Sequence, residues 1–244
     1  MALEILTKEE NLLKNLVVIK SKFVGKKVCA VLNANAYGHD MVKVARLLDD
    51  NVDGFFVSDV IERDLLIRHG VKNPIRVLMP TNDDETTLDF YQNVYAGDFV
   101  EKEFVRCNLS LFGYPRGEFY PVMEVYTEVL DTFNLPPYTN VDWCKVGRLG
   151  ANMAIIKGGF ADGIGRDFVG SHLLIKGKPY PVVAVFTNLT ILRVDGDVNA
   201  KDRVCICGNS EGRFRYFDQL ALEVDTDIRE LMIRFGNSEK NGKI

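Results

Sequence analysis

Val28-Cys29-Ala30-Val31-Leu32-Asn33-Ala34-Asn35-Ala36-Tyr37-Gly38-His39-Asp40 is the stretch on which the fold turns. Its first five residues are an apolar run with β-branched members, the pattern of a buried strand. Small and turn-forming residues follow (Ala34, Asn35, Ala36, Gly38). Beyond them Val42, Val44, Ala45, Leu47 and Leu48 predict a helix. A strand feeding a loop and then a helix N-terminus is where α/β proteins place phosphates and reacting groups. A plain buried strand and turn is the simpler reading of the same residues.

Upstream, Thr7-Lys8-Glu9-Glu10 has capping-box spacing and predicts an amphipathic helix through about Lys22. Leu12, Leu13, Leu16, Ile19 and Phe23 make its apolar stripe, and Lys14, Asn15 and Lys22 fall on an outer, solvated face. Downstream, further strand–helix units are predicted. Gly54 to Ser58 reads as a strand, and Asp59 to His69 as a helix ended by Gly70. Pro74 to Pro80 is the next strand, Asp83 to Gln92 the next helix, and Asn93 to Gly97 a fourth strand. Repeated βα units with short connections imply parallel strands.

From Met123 the texture changes to strands and turns without a long helical stripe. Glu124 to Asp131 alternates with period two. Ile155-Ile156, Leu173 to Ile175, Pro181 to Val194 and Arg203 to Cys207 continue the series, and Arg213 to Glu223 leaves room for one short helix. The expected organisation is α/β plus β, with residues 1–115 as a partial (β/α) barrel and 116–244 as a β-domain.

The net charge of −4 carries no basic block, so nothing points to nucleic acid. No apolar run reaches membrane length. Met1 to Leu6 leads at once into charged residues and does not read as a signal peptide. Five cysteines (29, 107, 144, 205, 207), mostly in apolar surroundings, fit a reducing cytoplasm. Cys205-Ile206-Cys207 puts two thiols on one strand face. A zinc site needs four ligands, so core cysteines and no metal are expected.

Ala34-Asn35-Ala36-Tyr37-Gly38-His39 resembles the segment by which alanine racemases are known. The family reads Val-Lys-Ala-Asn-Ala-Tyr-Gly-His there, and its lysine forms the Schiff base with pyridoxal phosphate. Asn33 stands at the lysine position. The likeness extends to Leu13 to Leu16, to Glu62, and to Gly70-Val71 with Pro74-Ile75. Phe104 to Gly113 resembles the segment that ends the racemase barrel. A closed eight-fold barrel takes about 250 residues, so the resemblance implies a shortened barrel lacking its middle strands. Gly159-Phe160-Ala161-Asp162-Gly163-Ile164-Gly165-Arg166 and Gly177-Lys178 with Pro181 to Val183 resemble the family's C-terminal β-domain.

The resemblance implies roles residue by residue. Tyr37 would bind cofactor phosphate and Arg106 would face the pyridine nitrogen. Asn108 and Leu109 would lie at the phosphate, Asn108 replacing a glycine. Arg229 would stand where a late phosphate-binding tyrosine belongs, and Arg166 would bind substrate. The second catalytic base is a tyrosine in the family; the matching Val141-Asp142-Trp143-Cys144 offers Trp143, whose indole N–H is no base near neutral pH. Phe186 to Leu189 replaces the family's substrate-pocket Met-Asp pair.

A Schiff base needs an amine, and a carboxamide nitrogen is not one. No catalytic residue is therefore intact. Pyridoxal phosphate is expected to be held without a covalent bond and weakly, if at all. The expected function is binding or regulation by a racemase-like pseudoenzyme, as a homodimer or paired with an active homologue. The competing expectation is a pyridoxal-phosphate-dependent alanine racemase using a displaced amine, with Lys26, Lys27 and Lys145 as candidates. A third is an enzyme without the cofactor, using His39 or Asp162 as base.

Overall fold

Strand β1 (Glu4–Thr7) and helix α1 (Glu9–Lys22) open the chain. The computed structural model describes residues 3–78, 99–100, 102–141, 144–145 and 150–238. It divides into one unit of Thr7–Val122 and another of Met1–Leu6 with Met123–Ile244. The expected helix at Asp83 to Gln92 and strand at Asn93 to Gly97 lie outside the described residues, as does Trp143.

In the first unit, β2 (Lys27–Val31), α2 (Met41–Leu48), β3 (Gly54–Val57), α3 (Val60–Arg68) and β4 (Ile75–Val77) follow one another. Two short strands, β5 (Phe99–Val100) and β6 (Phe104–Cys107), complete it. The sheet order is β4-β3-β2-β6-β5. Strands β4, β3, β2 and β6 run parallel, while β5 is antiparallel to β6. Period-two alternation sorts the side chains of β2. Cys29 and Val31 join Phe56, Leu78 and Phe104 on one face. Asp59 caps α3 by accepting from the Glu62 amide at 2.9 Å, and Gly70 leaves the helix at φ +81°.

Helix α1 departs from its sequence reading at two points. Lys8 holds the N-cap and no side chain caps the helix, because Thr7 is drawn into β1. Asn15 is fully buried, not on a solvated face. Its Nδ2 donates to the Leu111 carbonyl at 3.1 Å and the Tyr120 carbonyl at 2.8 Å, and its Oδ1 accepts from the Tyr120 amide at 2.7 Å. Three satisfied bonds make a buried carboxamide tolerable. They tie α1 to the segment after β6, about 1 kcal/mol each net. The Lys8 amide donates to the Val122 carbonyl at 2.7 Å, so the two ends of this unit lie side by side.

The second unit contains β7 (Met123–Leu135), β8 (Asn140–Val141), β9 (Cys144–Lys145), β10 (Ala151–Lys157) and β11 (His172–Ile175). It continues with β12 (Lys178–Val185), β13 (Leu189–Val194), β14 (Arg203–Ser210) and β15 (Arg213–Arg215), then α4 (Phe217–Glu223) and α5 (Ile228–Ser238). The Pro181–Val194 stretch is thus two strands of a hairpin. The room left at 213–223 holds a strand before its short helix, and α5 was not anticipated. The pairings run β7-β10-β13-β12-β11-β14 and return to β7, closing a ring of six antiparallel strands. Closure removes the exposed edges that an open sheet must protect. Leu135, Met153, Val183, Ala184 and Ile191 form one cluster of its core. Cys205 packs with Tyr126 and Leu174, and burial pushes its thiol up to about 12. Cys207 is fully buried, and burial likewise pushes its thiol well above the ordinary value, so both are core cysteines that remain protonated.

Candidate functional site

The loop after β2 folds in an unusual way. Ala34, Asn35, Ala36 and Tyr37 all have φ between +49° and +60°, a left-handed turn built without glycine until Gly38. Such backbone costs about 1–2 kcal/mol per residue and persists only where the surroundings impose it. They do so here by hydrogen bonds. The Asn35 amide donates to Glu62 Oε1 at 3.3 Å, while Glu62 Oε2 accepts from the Ser58 amide at 2.7 Å. One carboxylate therefore ties together the loops after β2 and β3. Asn35 Oδ1 accepts from the Met41 amide at 3.0 Å, fixing the start of α2.

The turn places Tyr37 and His39 against one ring. Tyr37 meets Phe112 edge-on, centroids 5.4 Å apart, and His39 lies 4.5 Å from the same ring at 33°. Phe112 follows β6, the parallel neighbour of β2, so both loops leave the carboxyl ends of adjacent strands, the usual place for a site in such sheets. His39 is buried, and burial lowers its pKa to about 4. Its Nδ1 lies 2.8 Å from the Ala36 carbonyl. A carbonyl only accepts, so Nδ1 carries the proton and Nε2 the lone pair.

Asn33 Oδ1, His39 Nε2 and Ser110 Oγ are among the polar atoms buried in this region without a hydrogen-bond partner. Such atoms cost about 1–3 kcal/mol each when left unmade. Arg106 is buried on β6 with its guanidinium 5.2 Å from the centroid of Phe56, on the face shared with Val31. It is neither a surface arginine nor an isolated one. Asn108 is buried and Leu109 half-buried in the same turn. Asn33, Tyr37, Arg106, Asn108 and Leu109 thus belong to one end of one sheet. His39 was weighed only as a base, and Glu62 only as part of a resemblance. Their structural work lies in contacts between separate loops, which local sequence does not encode.

The other expected site residues lie in the second unit. Arg166 is exposed at a 3₁₀ turn. Arg229 is held bidentately by Asp227, Nε to Oδ1 at 2.9 Å and Nη2 to Oδ2 at 2.7 Å. That ion pair holds the Asp227 carboxyl below its ordinary range. Asp162 Oδ2 accepts from the Gly159 amide at 3.1 Å and braces a turn. Among the described residues no group of three or more His, Cys, Asp or Glu side chains is set to hold a metal.

Residues 8–94 match the family model for the alanine racemase N-terminal domain, and residues 122–241 match that for the alanine racemase C-terminal domain. The chain belongs to the alanine racemase family. The alanine racemase of Haemophilus influenzae is 45% identical over 65 residues, covering 27% of this chain and 18% of that protein. The Streptococcus pneumoniae (strain Hungary19A-6) alanine racemase is 49% identical over 49 residues, covering 20% and 13%. These matches span less than a fifth of the curated relatives' length.

Solved racemases share the fold at low identity. Alanine racemase from Bacillus anthracis, with bound L-Ala-P, superposes with a TM-score of 0.81 at 16% identity, covering 96% of this chain and 92% of that one. For the enzyme of D-cycloserine-producing Streptomyces lavendulae the values are 0.83, 14%, 96% and 95%. Histidine racemase from Leuconostoc mesenteroides subsp. sake gives 0.79, 16%, 96% and 95%.

The family is pyridoxal-phosphate dependent, and the described residues do not fit covalent attachment of that cofactor. Asn33 lies two residues beyond the end of β2, with a buried carboxamide whose oxygen has no partner, and it supplies no amine. Lys26 and Lys27 precede or open β2. At about 3.3 Å per strand residue they stand roughly 20 Å from Asn33, beyond a lysine's reach. The Lys26 ammonium donates to the Lys102 carbonyl at that far end. The Lys145 side chain lies outside the described residues.

Proposed function

We propose that this chain is a non-catalytic racemase relative that binds a small polar ligand at the end of its parallel sheet and regulates rather than racemises. The observation that carries the reading is Asn33, a carboxamide where the family's Schiff-base lysine stands. Two further features support it. His39, held at about pKa 4 by burial, is a poor general base near neutral pH. The unpartnered Asn33 Oδ1 and Ser110 Oγ offer a ligand hydrogen bonds that the fold leaves unmade.

The purified chain, supplied with pyridoxal phosphate, is expected to convert no measurable L-alanine to D-alanine. Borohydride treatment followed by intact mass is expected to add no cofactor. Turnover, or a reduced adduct, would establish the competing reading of a racemase with a displaced amine.

We propose a cytoplasmic location and pairing with a second copy or with an active homologue. Among the described residues no helix is long and apolar enough to cross a membrane. In favour of pairing, β4 and β5 are the outer strands of the described sheet, and an open sheet edge can accept a strand from another chain. Light scattering is expected to give a dimer at micromolar concentration; a cooperatively melting monomer would exclude it.

A further inference from the structure

Where β7 changes partner from β14 to β10, the antiparallel unit carries a cavity of about 470 Å³. That is within the size range of small-molecule sites. Leu3 and Thr127, both buried, form part of its wall, and the Thr127 hydroxyl is used up on the Lys157 carbonyl at 2.9 Å. The remaining lining is charged: Glu4, Glu128, Lys157, Lys201 and Arg203. We propose that this cavity binds a small anion, a carboxylate or a phosphate group, with Lys201 as its principal cation.

The charges decide the sign of the ligand. Arg203 donates to Glu4 Oε2 at 2.7 Å and lies 3.6 Å above the Tyr126 ring. Lys157 pairs with Glu128. Both carboxylates are therefore engaged at close range, whereas Lys201 acts on Glu128 only through the longer-range field and has no ion-pair partner within 4 Å among the described residues. Lys157 and Arg203 line the same cavity and add to the positive field.

The backbone of Lys201 gives a second, independent reason. It sits at φ +72°, in the region glycine and asparagine prefer. Its amide donates to the Val129 carbonyl at 2.7 Å, and the Val129 amide donates to the Asp202 carbonyl at 2.9 Å. The strand junction thus holds a long cationic residue at the cavity in a conformation costing about 1 kcal/mol. Backbone of this kind persists only where the surroundings impose it, and here the two bonds to Val129 fix where the Lys201 side chain starts.

Inorganic phosphate and acetate, titrated separately into the full chain, test this through the amide NMR signals of Thr127, Lys201 and Arg203. Saturable shifts are expected, weakened about tenfold in Lys201→Gln and damped by added chloride. Lys201→Arg is expected to keep them. Lys201→Gly removes the charge while relieving the strained φ, so it folds at least as well and is expected to bind as poorly as Lys201→Gln. Saturation by phosphate alone identifies a phosphoryl ligand, by acetate alone a carboxylate, and either supports the site. No saturable shift with either anion, or equal affinity in Lys201→Gly, overturns it.

Discussion

Gly113→Ala is expected to abolish the folded parallel-sheet unit. Gly113 has φ +106°, where a side chain is strained in any surroundings. A Cβ there would also stand 2.6 Å from Pro121 Cα and 2.7 Å from the Tyr120 carbonyl carbon, with the Tyr120 oxygen nearer still. Those neighbours are backbone and cannot rotate away. Nor can the segment drift, because Tyr114 donates to the Leu109 carbonyl, Val122 to the Phe112 carbonyl, and Asn15 holds both Leu111 and Tyr120. The expected loss exceeds about 4 kcal/mol, among the largest single-residue effects. Gly117 is the control. Its φ is +85° but an added Cβ meets nothing within 4 Å, so Gly117→Ala should cost only about 1–2 kcal/mol of backbone strain. Urea unfolding of the two variants decides it. Equal midpoints would show that the crowding at Gly113 relaxes.

Acid should loosen the same unit through His39. Burial lowers its folded pKa from 6.5 to about 4, so the unfolded chain binds the extra proton first. The contribution of neutral His39 is complete above pH 6.5 and falls away as the pH drops toward 4. The loss is about 2 kcal/mol by pH 5 and about 3 kcal/mol by pH 4. Carboxylates such as Glu128, Asp227 and Glu230 are held below their ordinary values by Lys157, Arg229, and Thr226 with Arg234. What they add is lost only below about pH 4.5. The window from pH 6.5 to 5 therefore isolates the imidazole. His39→Gln should flatten stability across it, and a wild-type profile already flat there would mean that His39 takes up its proton without penalty.

The strand–loop–helix at Val28 to Leu48 was legible because periodicity is local: an apolar run, then a helical stripe. The left-handed run from Ala34 to Tyr37 was not. Asn35 and Gly38 tolerate positive φ, but nothing in alanine or tyrosine asks for it. The conformation is imposed by Glu62, whose reach across two loops is a tertiary fact. Asn15 was misplaced for the same reason. A polar residue beside an apolar stripe reads as outward, and its partners lie 96 and 105 positions away. The carboxamide at position 33 is read directly from the sequence, because a residue's own chemistry needs no tertiary context. Helix α5 escaped despite Leu231, Met232 and Phe235, which are fully buried. Phe235 meets Phe168 and Phe217, rings supplied by distant segments, and a short stripe among Arg and Glu did not reveal that core.

The bond between Lys8 and Val122 bears on how the chain is assembled during synthesis. Strand β1 leaves the ribosome well before β7, its pairing partner, which begins more than a hundred residues later. Closing a flexible loop of that length costs about 4 kcal/mol in chain entropy. The intervening residues fold as their own unit, and once they do, Lys8 and Val122 are neighbours. The growing chain then presents β7 beside a β1 already waiting next to it, and a pairing remote in sequence forms with the kinetics of a local one.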